Sequence, residues 1–169
     1  LDAFKALILS GSPYSVREFD SPRIDLKNLL DQFPTLAVCY GAQLIAQEMG
    51  GTVSASNIRE YGRAKLLFTK NNSILFDGIE DNTQVWMSHS DTIKKLPKNS
   101  ILLASSDDVQ NVAYKFSDKV YCLQFHPEVY HTTEGKQILE NFLTKISSLE
   151  QSWTPDSFIE TTISELRDK

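Results

Sequence analysis

An apolar run passes directly into a helical pattern at Thr35-Leu36-Ala37-Val38-Cys39-Tyr40-Gly41-Ala42-Gln43. Its first four residues have the length and composition of a buried parallel strand. From Ala42 to Met49 the apolar residues share one helical face, and Gly50-Gly51 is a typical helix stop. The sequence therefore predicts a strand, a sharp turn and a helix, with Cys39 at the turn.

The same pattern of a strand followed by a turn occurs earlier, at Ala6-Leu7-Ile8-Leu9 and Ser10-Gly11-Ser12-Pro13. Between the two strands, residues 24–33 carry apolar side chains at helical spacing and stop at Pro34, as a short helix would. From Thr133 onward, apolar residues again repeat at helical spacing, which predicts a long packing helix. Together these elements predict an α/β fold, with a mostly parallel, open sheet in a three-layer arrangement.

The middle of the chain holds several short apolar runs close to one another. They lie at 65–69, 85–87, 101–104, 112–114 and 120–125. Such close spacing favours pairing of neighbouring strands in opposite directions. We therefore expect a small antiparallel region beside the parallel strands.

The composition favours a protein of ordinary domain size without a nucleic-acid or membrane partner. The chain has 169 residues, of which 41% are hydrophobic, and its formal net charge is −5. It contains no run of Lys or Arg, no apolar stretch near the roughly 20 residues of a membrane span, and no signal-peptide pattern. Its two cysteines, Cys39 and Cys122, fit a reduced compartment better than a disulfide framework, so we expect a cytoplasmic protein.

A second unit is expected near the carboxyl terminus. The apolar period ends after Leu149, and Glu150-Gln151-Ser152 has the polar character of a linker. A new helical pattern then begins with Pro155 at its first position. The sequence thus predicts one domain over 1–149, and a linker with the first helix of another domain over 150–169.

Cys39 has the position of a nucleophile elbow, where a strand ends and a helix begins. A helix N-terminus stabilises a thiolate, and its free backbone N–H groups can hold an oxyanion. The expected oxyanion donors are the N–H of Tyr40 and the turn formed by Gly11 and Ser12. A single Cys beside an apolar strand is often a small buried hydrophobic residue, so the elbow alone leaves both interpretations open.

A second chemical group, His126-Pro127-Glu128, follows the apolar run at 120–125. Because open α/β sheets carry their sites at the carboxyl ends of the strands, His126 should emerge beside Cys39. Pro127 favours an extended His126, so Glu128 can lie beside the imidazole and orient it. In isolation this tripeptide fits a surface His with a solvated Glu equally well. Together with Cys39 it predicts a catalytic triad of Cys, His and Glu.

Two other polar residues are candidates for the same pocket. Gln43 lies one helical turn after Cys39 and could reach a carboxamide there, although a solvated glutamine is its ordinary role. His89 ends the apolar run at 85–87 and either lines the pocket or serves the structure. The chain shows no metal-ligand spacing, so no metal site is predicted.

These motifs resemble those of the class I glutamine amidotransferases. The shared signature is Cys39-Tyr40-Gly41-Ala42-Gln43 together with His126-Pro127-Glu128, in that order. Further stretches are similar to one branch of the family: Ile8-Leu9-Ser10-Gly11-Ser12-Pro13, Ser56-Asn57-Ile58-Arg59-Glu60-Tyr61-Gly62 and Trp86-Met87-Ser88-His89. The likeness covers nearly the whole chain and implies a flavodoxin-like sheet. Ser12, Ala37 and Ser90 stand where glycine is usual in the family.

The resemblance implies a glutaminase. Cys39 would attack the side-chain amide of glutamine to give a thioester, His126 would shuttle protons, and Glu128 would orient His126. Gln43, Ser88 and His89 would help to hold the substrate. The family's first strand and helix would precede Leu1.

The branch that the chain resembles also implies a partner. There, the ammonia passes to an ATP-pyrophosphatase synthetase domain, which uses ATP and Mg²⁺ to aminate xanthosine monophosphate to GMP. That domain would lie in the same full-length chain or in a separate subunit, and Trp153-Thr154-Pro155 resembles the passage into it. The glutaminase itself would need no cofactor. The alternatives are a glutaminase that serves another synthetase, a related Cys peptidase, and a catalytically silent module that regulates a synthetase.

Overall fold

The computed structural model describes residues 4–69, 73–150 and 155–167, although not the side chains at 57–60 and at several positions of the last helix. The helices are α1 (Leu26–Gln32), α2 (Tyr40–Glu48), α3 (Gly135–Glu140) and α4 (Pro155–Arg167). The strands are β1 (Leu7–Leu9), β2 (Thr35–Val38), β3 (Thr52–Lys65), β4 (Leu67–Phe68), β5 (Gln84–Lys95), β6 (Ile101–Ser105), β7 (Ala113–Ser117) and β8 (Val120–Leu123). A 3-10 helix spans Ile74–Phe76, and α3 continues as a π-helix over Asn141–Ile146.

The main sheet of the described part of the chain has the strand order β1-β2-β8-β7-β6-β4. Strands β1, β2 and β8 are parallel, whereas β7, β6 and β4 each pair with an antiparallel neighbour. The loops between β6, β7 and β8 are too short for a crossover helix, so these strands pair in opposite directions. The predicted α/β fold is confirmed, and the sheet is mixed: among the described residues, two of its five strand pairings are parallel and three are antiparallel, so the antiparallel part is larger than expected.

The two faces of the parallel strands pack against different layers. On one face, Leu36 and Val38 of β2 join a core that includes Ile138 of α3. On the other face, Ala37 joins a second core with Ile45 of α2. Burial on both faces explains why the strand sequences are continuously apolar, and it gives the predicted three layers.

A second, two-stranded sheet is formed by β3 and β5, which pair antiparallel from Thr52 and Lys95 to Lys65 and Gln84. The sequence pattern shows only the apolar beginning of β5, at 85–87, and places residues 65–69 in one strand. In the structure this segment divides between the end of β3 and β4. The two long strands of this sheet are not apparent in the sequence, because most residues of β3 are polar. They include residues 56–62, the stretch that resembles one branch of the family.

The predicted helices are present, with shifted bounds. The helix after Cys39 begins at Tyr40, two residues earlier than its apolar pattern indicates. The helix expected near the carboxyl terminus is α4, whereas residues 151–154 of the predicted linker lie outside the described residues. The domain boundary at 149 and 150 stays a prediction. Among the described helices, none has the length and hydropathy that a membrane crossing requires.

Candidate active site

Cys39 occupies the turn between β2 and α2. Its φ angle is +49°, in a region that residues other than glycine rarely adopt. Its backbone N–H donates to the carbonyl of Leu123 at 2.7 Å, and its own carbonyl accepts from the N–H of Gln43 at 3.0 Å. The strained turn is therefore fixed by β8 on one side and by the first turn of α2 on the other, as in a nucleophile elbow.

Gly41 allows this turn because α2 lies directly against β1. A Cβ atom at Gly41 would come within 2.5 Å of the carbonyl oxygen of Leu9 and 2.7 Å of its Cβ. Such distances are too short for any side chain unless the backbone moves. The glycine of the motif therefore keeps the start of α2, and with it Cys39, close to the end of β1.

His126 follows β8 and is held by both its backbone and its ring. Its Nδ1 lies 2.7 Å from Oε1 of Glu128. Its backbone N–H donates to the carbonyl of Trp86 at 3.0 Å, and its carbonyl accepts from the hydroxyl of Thr132 at 2.5 Å. Because Glu128 engages Nδ1, Nε2 is the ring nitrogen left for proton exchange with another group.

The backbone of Gly11, in the turn after β1, lies beside the side chains of both Cys39 and His126. A Cβ atom at Gly11 would be 3.0 Å from Cε1 of His126 and 3.7 Å from Cβ of Cys39. The two side chains thus flank the same point of the backbone, although 87 positions separate them in the chain (126 − 39). The structure brings Cys39, His126 and Glu128 together at the carboxyl edge of the parallel strands.

A pocket of about 570 Å³ opens over Cys39. It is lined by Ser10, Gly11, Ser12, Pro13, Tyr14, Cys39, Gln43, Tyr61, Ser88, His89, Ser90, Asp91, His126 and Glu128. These residues include every predicted site residue except Tyr40, which follows Cys39 as the first residue of α2. The pocket has a volume suitable for a small polar metabolite.

Burial, rather than the helix N-terminus, dominates the ionisation of Cys39. Burial raises the pKa of the Cys39 thiol to about 11; the N–H of Tyr40 lowers it in part, and the charge of Glu128 raises it further. The stabilisation of a thiolate that is expected from the helix N-terminus is therefore present but is outweighed by burial in the resting site. A thiol at neutral pH has to lose its proton during attack, which assigns a general base to the mechanism.

The raised pKa predicts how the reactivity of Cys39 depends on pH. Because a thiol with a pKa of about 11 is protonated at neutral pH, each pH unit between 7 and 10 increases the thiolate fraction about tenfold. We expect the rate of Cys39 alkylation by iodoacetamide to rise with that slope, as measured by mass spectrometry of the modified peptide. A rate independent of pH above 7 would show instead that Cys39 rests as a thiolate.

Gln43 and His89 are both buried and tied to the backbone of Asp91. Nε2 of Gln43 donates to the Asp91 carbonyl at 2.9 Å and to Oε1 of Gln124 at 3.3 Å. Nδ1 of His89 lies 2.7 Å from the same carbonyl. Burial lowers the pKa of His89 to about 4, so its neutral ring donates this hydrogen bond from Nδ1. Both residues line the pocket, and their substrate-binding role stays a prediction, as does that of Ser88.

The sequence patterns do not single out three further residues of the site. Gln124 is 1% exposed, and its Nε2 lies 4.0 Å from Sγ of Cys39. Asp91 and Thr132 are also buried, at the pocket wall and behind His126. Gln124 could have been noticed as a polar residue within the apolar run at 120–125. Asp91 could have been noticed because it lies two positions after His89 and therefore points to the same face of the strand. Thr132 has no such signal.

The described residues contain no group of three or more His, Cys, Asp or Glu side chains that could hold an ion. The chemistry that the arrangement supports is nucleophilic: a thiol, a base oriented by a carboxylate, and backbone N–H groups at the turn. This combination suits acyl transfer from a small substrate.

A family model described as "Glutamine amidotransferase class-I" matches residues 1–146. This match covers most of the chain and includes Cys39, His126 and Glu128. The chain therefore belongs to the class I glutamine amidotransferase family.

Among curated proteins, the relatives include several GMP synthases [glutamine-hydrolyzing]. The protein from Christiangramia forsetii is 54% identical, and the alignment covers 100% of this chain and 33% of that protein. The protein from Flavobacterium psychrophilum is 53% identical with the same coverage, and that from Bacteroides thetaiotaomicron is 46% identical over 96% of this chain and 32% of its own length. The chain thus spans about a third of the length of the curated relatives it matches.

Solved structures show the same fold. A GMP synthase subunit from Thermoplasma acidophilum has a TM-score of 0.70 and 29% identity, covering 99% of this chain and 78% of that one. A glutamine amidotransferase from Thermotoga maritima has a TM-score of 0.61 and 22% identity, covering 70% and 64% of the two chains. The similarity to the Thermoplasma acidophilum structure extends over almost the whole chain. The similarity to the Thermotoga maritima structure shows that the two chains share a fold.

Proposed function

We propose that this chain is the glutaminase of a GMP synthase, releasing ammonia from glutamine for the amination of xanthosine monophosphate. The observation that carries the proposal is the convergence of Cys39, His126 and Glu128 at one pocket. Family membership supports the glutaminase reaction, and identities of 44–54% to GMP synthases support the particular acceptor. Because the triad is complete, a catalytically silent module is not favoured.

Attack on glutamine begins with proton transfer. His126 takes the proton from the Cys39 thiol through Nε2 while Sγ bonds to the carbonyl carbon of the substrate amide. Glu128 accepts the hydrogen bond from Nδ1 and stabilises the imidazolium that forms. The negative charge on the former carbonyl oxygen is held by backbone N–H groups, for which Tyr40, Gly11 and Ser12 are the candidates.

Collapse of this intermediate releases ammonia. His126 returns its proton to the leaving nitrogen, the C–N bond breaks, and a glutamyl thioester remains on Cys39. A water molecule then attacks the thioester carbonyl while His126 accepts its proton. The C–S bond breaks, the thiol recovers its proton, and glutamate leaves.

The acceptor reaction is assigned to a synthetase domain that uses ATP and Mg²⁺. The curated relatives are about three times as long as this chain, which leaves room for that domain in their sequences. The chain itself would contribute glutamine binding and ammonia release and would need no cofactor. Two free, buried cysteines fit an enzyme that works in the reducing cytoplasm.

The test combines the chain with the part of the Christiangramia forsetii GMP synthase that it does not cover. With glutamine, ATP, Mg²⁺ and xanthosine monophosphate, we expect GMP to form, as measured by chromatography. With ammonium chloride replacing glutamine, GMP should form whether or not Cys39 is intact. Glutamate release without glutamine-dependent GMP would refute the proposed acceptor and leave a glutaminase that serves another synthetase.

A further inference from the structure

An ion pair behind the pocket joins two distant parts of the chain. The side chain of Asp91 in β5 is 2% exposed, and its Oδ1 accepts from Nε of Arg17 at 3.1 Å and from Nη2 at 2.8 Å. Its Oδ2 accepts from the hydroxyl of Ser15. A buried carboxylate is strongly destabilising without such partners, so these contacts hold Ser15 and Arg17 against β5.

The segment between β1 and α1, residues 10–25, is anchored at the same place by Val16. This side chain is fully buried in the core beside α2. Its carbonyl accepts from Nη2 of Arg23 at 2.8 Å and from Nε2 of Gln47 at 3.1 Å. The turn at 10–14 is therefore held at both ends, by β1 before it and by residues 15–17 after it.

The backbone of Asp91 extends the connection to the catalytic elements. Its carbonyl accepts from Gln43 of α2 and lies beside the ring of His89. The side chain of Asp91 thus holds the turn that carries Gly11, while its backbone holds the helix that follows Cys39. A displacement of Arg17 would reach the pocket through the turn, because the backbone of Gly11 lies so close to His126 and Cys39 that an added Cβ atom would meet both.

We propose that Arg17 and Asp91 are positioning residues of glutamine hydrolysis. Their ion pair holds the turn at 10–14 so that the backbone N–H groups of this turn face the developing oxyanion. The inference rests on the proposed function. Oxyanion donors have to be fixed within a fraction of an ångström before the reaction, because reorganisation during attack costs rate. Arg17 does not line the pocket, and both carboxylate oxygens of Asp91 already accept hydrogen bonds from Ser15 and Arg17. The ion pair therefore acts on the reaction by holding the turn and not by binding the substrate.

The test uses Arg17 rather than Asp91, because the side chain of Arg17 is 45% exposed, whereas that of Asp91 is 2% exposed. We expect Arg17→Ala in the intact chain to lower kcat for glutamine hydrolysis about tenfold to a hundredfold, with KM changed less than about threefold. Arg17→Lys keeps the charge and should restore part of kcat. The matched control is Lys145→Ala, which removes an exposed ion pair with Asp77 outside the pocket and should leave both constants unchanged.

Hydrogen–deuterium exchange tests the same ion pair without using activity. The peptide covering residues 11–18 should exchange faster in Arg17→Ala than in the unmodified chain, and at the same rate in Lys145→Ala. A raised KM with unchanged kcat would overturn the inference, because it would make Arg17 a substrate-binding residue. Unchanged exchange in Arg17→Ala would overturn it as well. If the unmodified chain hydrolyses no glutamine, the proposed function fails, and exchange still decides whether the pair holds the turn.

Discussion

Glutamine hydrolysis is expected to fall by about 10⁴-fold or more when Cys39 is replaced by alanine, because the thioester can no longer form. The other cysteine cannot substitute for it, since Cys122 is completely buried within β8. The measurement is the rate of glutamate formation at saturating glutamine, with circular dichroism to show that the variant is folded.

The control for this result is Cys122→Ala, which removes a thiol of the same type from the core. We expect it to keep the rate within about threefold, since a buried cysteine mainly contributes packing. Glutamate formation by Cys39→Ala at about a hundredth or more of the normal rate would contradict the assigned nucleophile.

Replacing His126 should have the second largest effect. Because the resting thiol has a pKa of about 11, the reaction depends on a base, and we expect His126→Ala to lower kcat about 10²-fold to 10⁴-fold. Glu128→Gln should have a smaller effect, since a glutamine carbonyl can still accept the hydrogen bond from Nδ1 but lacks the charge that stabilises imidazolium. Steady-state rates over a range of pH measure both effects.

His131 provides the matched control for these variants. It packs on Trp86, with the two ring centroids 4.4 Å apart, and it does not line the pocket that contains Cys39. His131→Ala should keep kcat within about threefold, the change expected when a residue makes no transition-state contact. A His126→Ala variant as active as His131→Ala would show that another group removes the thiol proton.

The local sequence was sufficient to predict where Cys39 and His126 lie. A continuous apolar strand ends directly before Cys39, and another ends three residues before His126. Parallel strands with both faces buried place their carboxyl ends at one edge. The helix after Cys39 follows from its apolar face and its glycine stop. These features depend on neighbouring residues, so they can be read without knowing the rest of the fold.

Other features depend on distant parts of the chain and could not be predicted in the same way. The contact between Arg17 and Asp91 joins residues 74 positions apart, and no local pattern pairs them. The ribbon of β3 and β5 is mostly polar on one strand, so the alternation that marks a half-buried strand is weak there. The pKa of Cys39 depends on how deeply the folded chain buries the thiol, and this outweighs the effect of the helix N-terminus.

A covalent intermediate is the most direct evidence for a reaction through Cys39. The chain is mixed with isotopically labelled glutamine, quenched in acid within milliseconds, digested and analysed by mass spectrometry. We predict a labelled glutamyl thioester on the peptide that contains Cys39, absent from Cys39→Ala. Steady glutamate formation with no label on that peptide, or with label on another residue, would contradict the account.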